Sequence, residues 1–252
     1  MIQGFPTLAA IAAGILVAVA CTEVPTEPDA VLSVAFDSLP SPSVVLGDTL
    51  RDVNGAVRPL FATAYNFQGD VIPGAVATFS TPDRGIRINA STGVVTADSL
   101  RTTPARIVAS IGGIQAILLL DVTLRPDTAA ASNGRDSLSY SLTDSSRNLS
   151  PVLSVKVLHG LATTDSAVKS WLVTFVVAGG TAPGLATLVN DAGRPSQVDT
   201  TDASGIAGRR IRLDPARLTA LVDSVIVQAT VRHRGVAVRG SPVRLVLRVK
   251  PG

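Results

Sequence analysis

One thiol, two imidazoles and a C-terminal crowd of guanidinium groups are the side chains in this 252-residue chain whose chemistry could set a function. The thiol is Cys21, the only cysteine, at the end of the apolar run Leu16-Val17-Ala18-Val19-Ala20. With no second cysteine it has no intramolecular disulfide to form, which removes the commonest role of a cysteine in an exported protein. A thiol can instead carry a diacylglycerol as a stable thioether. Acyl chains contribute ~0.8 kcal/mol per buried CH₂, so several together anchor firmly where one does not.

The imidazoles are His159 and His233. No glutamate follows Glu27, and no Gly-x-Ser-x-Gly, His-Glu-x-x-His or phosphate-cradling glycine loop occurs. His233 lies between Arg232 and Arg234 beside Gly235, and His159 precedes Gly160, so each reads as a solvated turn residue rather than a base. Asp199 and Asp202 have oxygens for a hard cation, but the Asp-x-Asx-x-Asx spacing is absent and a turn cap explains Asp202. We therefore expect no catalytic residues, no metal and no cofactor.

The net charge is +3, and the excess gathers at the C-terminal end. Arg244, Arg248 and Lys250 alternate with Val243, Leu245, Leu247 and Val249, so they share the outward face of a last strand. Arg210 and Arg212 alternate in the same way with Ile211 and Leu213. If these strands are neighbours, the five cations make one basic face that attracts anionic glycans or headgroups by steering. Nucleic acid is not expected, because the region lacks interleaved aromatics. Solubility and protection of a sheet edge are the competing explanation.

These residues need a scaffold, and the composition points to sheet. Hydrophobic residues are 46% of the chain and charged residues 16%. Valine, isoleucine and threonine favour pleated sheet, and the usual builders of amphipathic helices are scarce. Ala105, Ile107, Ala109 and Ile111 alternate, Gly112-Gly113 turns, and Ile114, Ala116, Leu118, Leu120 and Val122 return. Trp171, Val173, Phe175 and Val177 alternate in the second half, as do Val225, Val227, Ala229 and Val231. Leu60, Ala62 and Ala64 share one face of an earlier strand. Phe61 and Tyr65 on the opposite face, with Ile117 and Leu119, would leave an apolar patch for a partner or for the second domain, unless the faces of one of those strands are inverted. A short helix is expected over 214–222.

The apolar stretch 8–20 would be roughly 20 Å long as a helix, short of the ~30 Å hydrocarbon core. It reads as a signal-peptide core. Leu16 to Cys21 resembles the lipobox of bacterial lipoproteins, with Ala20-Cys21 in place and Ala18 where leucine is usual. That resemblance implies a signal peptide over 1–21, lipidation at Cys21, export, and with Thr22 following, the outer membrane. An ordinary cleaved signal peptide with Cys21 incidental is the alternative. Residues 22–30, acidic and carrying Pro25 and Pro28, read as a tether.

Two further resemblances divide the rest. Gly47-Asp48-Thr49, residues 75–83, and Ile88-Asn89-Ala90-Ser91-Thr92-Gly93-Val94-Val95-Thr96-Ala97 resemble the group 2 bacterial immunoglobulin-like domain, over 31–124. Phe79 stands where tryptophan is usual, and 51–57 looks like an insertion. Thr201-Asp202-Ala203-Ser204-Gly205-Ile206-Ala207, with Val173-Thr174-Phe175 upstream, resembles the invasin-like group 1 domain, within 137–252. Residues 125–136, small, polar and without an apolar period, read as the linker.

The expected fold class is thus all-β: two tandem immunoglobulin-like β-sandwiches after an N-terminal signal and lipidation segment. The expected function is that of a non-catalytic cell-envelope lipoprotein, a structural spacer or an adhesion and binding module. Its partners would be the membrane, through the anchor, and a cell-surface glycan or protein. A carbohydrate-binding accessory of a glycan-processing system is the alternative.

Overall fold

The computed structural model describes residues 27, 30–160, 166–180, 184–214 and 224–252. Cys21, nearly all of the 22–30 tether and the 214–222 helix beyond Asp214 lie outside the described residues.

The first sandwich contains β1 (Ser33–Phe36), β2 (Ser43–Val45), β3 (Ala62–Tyr65), β4 (Thr78–Ser80), β5 (Ile86–Ile88), β6 (Val95–Ala97), β7 (Ala105–Ile111) and β8 (Ile114–Thr123). One layer is the sheet β2-β8-β7-β4. The other is built from the pairs β1-β3 and β5-β6, joined where the Leu60 N–H donates to the Gly93 carbonyl at 2.9 Å. Period-two alternation puts Ile107, Ala109, Leu120 and Val122 into the space between the layers, where they meet Leu50, Leu60, Phe79 and Val95.

The second sandwich contains β9 (Thr128–Asn133), β10 (Arg135–Tyr140), β11 (Leu153–His159), β12 (Ser166–Ala167), β13 (Leu172–Gly179), β14 (Ala186–Val189), β15 (Val198–Thr200), β16 (Ile206–Leu213), β17 (Ser224–Thr230), β18 (Arg232–His233), β19 (Val236–Ala237) and β20 (Val243–Pro251). The sheet β10-β20-β17-β13-β15 faces a layer in which β11 lies between β9 and β16, and β14 follows β16. Phe175, Ile211, Leu245 and Leu247 are fully buried between them.

Both halves use the same closure. The first strand pairs antiparallel with the third (β1 with β3, β9 with β11). The chain then crosses to the other layer and pairs parallel with the last strand (β2 with β8, β10 with β20). Two facing sheets, with this strand order, form an immunoglobulin-like sandwich, built twice. The alternation in 60–64, 105–111, 116–122, 172–177 and 243–249 positions its apolar residues as the sequence predicts, whereas Ile114, at the start of β8, is exposed.

The linker is a correction. Residues 125–136 contain β9 and the start of β10, so they belong to the second sandwich. Sheet pairing is made by backbone groups that every residue carries. Ala129 to Ala131 therefore form a ladder with β11, although only Ala129 among them is buried. A strand with so little side-chain demand leaves no apolar period to read. The turn expected at Asp202 is present: its carboxylate accepts from the Ser204 and Ile206 N–H groups at 2.8 and 2.9 Å.

Candidate functional site

A dense polar constellation lies where the two sandwiches meet. Asp48 leaves β2 in a turn and turns its carboxylate toward the second sandwich. It accepts from its neighbour's N–H at Thr49 (2.8 Å), from Arg51 (3.1 Å), and across the joint from Arg234 Nε (2.9 Å). Burial alone would raise the pKa of Asp48. The hydrogen bonds from Arg234 and Arg51, then that from Thr49, outweigh burial and hold it at about 2. Arg51 and Arg234 are thereby fixed as ion-pair partners of a carboxylate only 7% exposed.

The loop that follows is shaped to reach the partner. Asp52 accepts from the Asn54 and Ala56 N–H groups and from Arg58 Nε, which folds 52–56 into a tight projection. Its tip, Asn54-Gly55, meets Arg234-Gly235 in the turn between β18 and β19. A Cβ at Gly55 would lie 2.3 Å from the Arg234 carbonyl carbon, and one at Gly235 would lie 2.4 Å from the Asn54 carbonyl oxygen. Glycine is what lets these two backbones touch. The apparent insertion at 51–57 is therefore the arm by which the first sandwich grips the second.

A second set of ties runs from β8 and β2. Asp121 accepts from Lys169 Nζ at 2.8 Å and from the Ser170 hydroxyl at 2.7 Å. The Thr123 hydroxyl donates to the Lys169 carbonyl (2.7 Å) and the Ser43 hydroxyl to the Ser170 carbonyl (2.6 Å), both from nearly fully buried positions. Beside them Trp171 Nε1 donates to the Arg232 carbonyl at 3.1 Å, and its ring centroid lies 6.0 Å from that of His233. Among the described residues, Ser170 and Arg234 are the non-glycine residues with left-handed backbone, φ 54° and 50°. Each such residue costs on the order of 1 kcal/mol and persists where surrounding bonds over-determine it. Here those bonds are the ties across the joint. A cavity of about 60 Å³ remains between Ser43, Asp48, Trp171 and His233, room for a few waters.

The sequence-derived candidates fare differently. Arg244, Arg248 and Lys250 are exposed on β20, as expected. Arg210 and Arg212 are on β16, in the opposite layer, so the five do not form one face. The alternation was readable, but which strands become neighbours is decided by topology that the cations do not encode. Neither histidine is a solvated turn residue. His159 Nδ1 is 2.7 Å from Asp127, and His233 packs near Trp171 with its Nδ1 buried and unpartnered. Burial first, and the Arg234 cation second, press the His233 pKa below its ordinary value, which keeps the ring neutral at pH 7. Asp199 pairs with the buried Arg209 at 2.9 Å. Ile117, Leu119 and Phe61 are exposed as read, but Phe61 sits beside β3, in the layer opposite β8, and does not join the other two in one patch. Asp121, Lys169 and Ser170 had no signal of their own in the sequence, and Asp48 showed only as part of Gly-Asp-Thr.

No family model and no curated protein matches the chain. Among solved structures it is similar to domains 4 and 5 of the S-layer protein SbsC (14% identity over 87% of this chain and 98% of that one, TM-score 0.31). It is also similar to the Escherichia coli adhesin FdeC (15% identity, 88% and 66% covered, TM-score 0.31) and to human protocadherin-24 EC1-2 (15% identity, 88% and 100% covered, TM-score 0.27). The fold assignment rests on the strand pairing and the two cores, not on these similarities.

Asp48→Asn should lower unfolding stability at pH 7 by about 1–2 kcal/mol, allowing for the half-exposed Arg234. Because Asp48 is depressed from 3.8 to about 2 in the folded chain, its contribution is complete above about pH 4 and fades as pH falls toward 2. Urea unfolding of both proteins from pH 7 to pH 2 checks this. The stability gap should close on acidification, and a gap that widened would contradict the assignment.

Proposed function

We propose that this chain is a non-catalytic module of the bacterial cell envelope, moored through lipid on Cys21 and acting as a stiff spacer that presents its second sandwich. The observation that carries this reading is the doubly tied joint. Asp48 with Arg234, and Asp121 with Lys169 and Ser170, bind the sandwiches at separate points. Inter-domain motion is the ordinary expectation for two modules on one chain, so ties of this density indicate that their relative orientation matters. A spacer needs that fixed orientation, and needs nothing from catalysis. His159, held by Asp127, and the joint carboxylates are all engaged in structural bonds.

Adhesion is the natural extension, since a rigid pair holds a binding face at a defined distance from its anchor. Small-angle scattering on the soluble pair tests the stiffness. The wild type should give one compact distance distribution, and Asp48→Asn combined with Asp121→Asn should broaden it and lengthen its maximum. Identical curves would remove the joint as the basis of the spacer reading. The anchor is tested separately by mass spectrometry of the natural mature protein. Cys21 should be the first residue and carry acyl mass that Cys21→Ala lacks, whereas a free thiol at that position would refute the mooring.

A further inference from the structure

The outward face of β10 and β20 assembles a line of cations that sequence reading only half found. On β20, Arg244, Val246, Arg248 and Lys250 point away from the core, as the buried Val243, Leu245, Leu247 and Val249 between them require. Parallel pairing brings Arg135 opposite Val246, between the two arginines, and sets Ser137 beside Arg248 and Ser139 beside Lys250. On the other flank Gln228 faces Arg244 and Ser224 faces Arg248. At ~3.3 Å per residue the line runs for roughly 20 Å, with a cation about every 7 Å.

Carboxylates are almost missing from this face. β17 and β20 contain none, and among the described residues no ion pair engages Arg135, Arg244, Arg248 or Lys250. Asp136 lies at the rim, where it accepts from Asn133 Nδ2 and from the Ser137 N–H. Protection of an edge strand explains one or two charges, but not a row on the inner strand β20, which has neighbours on both sides. Two shallow hollows, about 240 and 740 Å³, share Val246 and Arg248 and so form one trough along the row.

We propose that this trough binds a linear polyanionic glycan. Unpaired guanidinium groups at regular spacing suit successive carboxylates or sulfates, and Ser137, Ser139, Ser224 and Gln228 supply neutral partners for hydroxyl groups between them. No aromatic side chain lies on the outward positions of β10, β17 or β20, so the stacking platform that single-stranded nucleic acid uses is missing. A single concave row also fits a rod better than it fits the plane of a membrane. The proposal goes beyond the spacer reading, which neither requires it nor falls with it.

The test measures binding of the chain's two sandwiches to polygalacturonate oligomers at low salt, with dextran as neutral polymer and vesicles containing phosphatidylglycerol as anionic membrane. Polygalacturonate should bind, dextran should not, and the complex should dissociate as salt shortens the Debye length to a few ångströms. Arg244→Ser with Arg248→Ser should weaken binding about tenfold or more, and Arg135→Ser should weaken it by a smaller factor. Arg210→Ser with Arg212→Ser, on the opposite layer, should leave it unchanged. Circular dichroism confirms that each variant is folded. The proposal is overturned by equal weakening in the Arg210 and Arg212 variant, by binding to vesicles without binding to polygalacturonate, or by no binding at low salt.

Discussion

A single carboxylate, that of Asp48, sits where two otherwise self-sufficient modules must agree. Each sandwich has its own apolar core, so neither needs the other to hide hydrophobic surface. Their mutual orientation therefore depends on polar contacts. Charges exposed to water contribute little, but Asp48 is screened from solvent, accepts from two guanidinium groups and a backbone N–H, and stays ionised. The left-handed backbone at Arg234 and the glycine contact between 54–55 and 234–235 are tolerable because that bond holds the turn in place.

The layers of each sandwich were legible in the sequence because burial on one face of a strand imposes period two. Residues 105–122 and 243–249 show it cleanly. β9 escaped because its contribution is backbone pairing by alanines, which leaves no pattern in side-chain polarity. The joint escaped for a different reason. Asp48, Asp121 and Lys169 are ordinary charged residues, separated by up to 121 positions, and only the chain's tertiary path brings their bonds to one place. The sequence did carry one oblique sign of it, the extra residues 51–57, whose use appears only when the second sandwich stands against them.

The arginines show the limit of strand-face reasoning from the other side. Alternation correctly sends Arg210, Arg212, Arg244 and Arg248 outward, yet outward is a different direction for each layer of a sandwich. The register of β10 against β20, set by closure of the fold, is what recruits Arg135 to the row and excludes Arg210 and Arg212 from it. Ion-paired and unpaired cations are thus placed apart: Arg234 and Lys169 engage carboxylates at the joint, and the outward face of β10 and β20 carries the unpaired row.

The most direct measurement of the central claim is the alignment of the two sandwiches in solution, read from residual dipolar couplings of backbone N–H groups. A locked joint requires one alignment tensor for both modules, equal in magnitude and orientation when couplings from 33–123 and 128–251 are fitted separately. Two tensors of clearly different magnitude would mean that the modules move independently, and that Asp48 and its partners do not hold them.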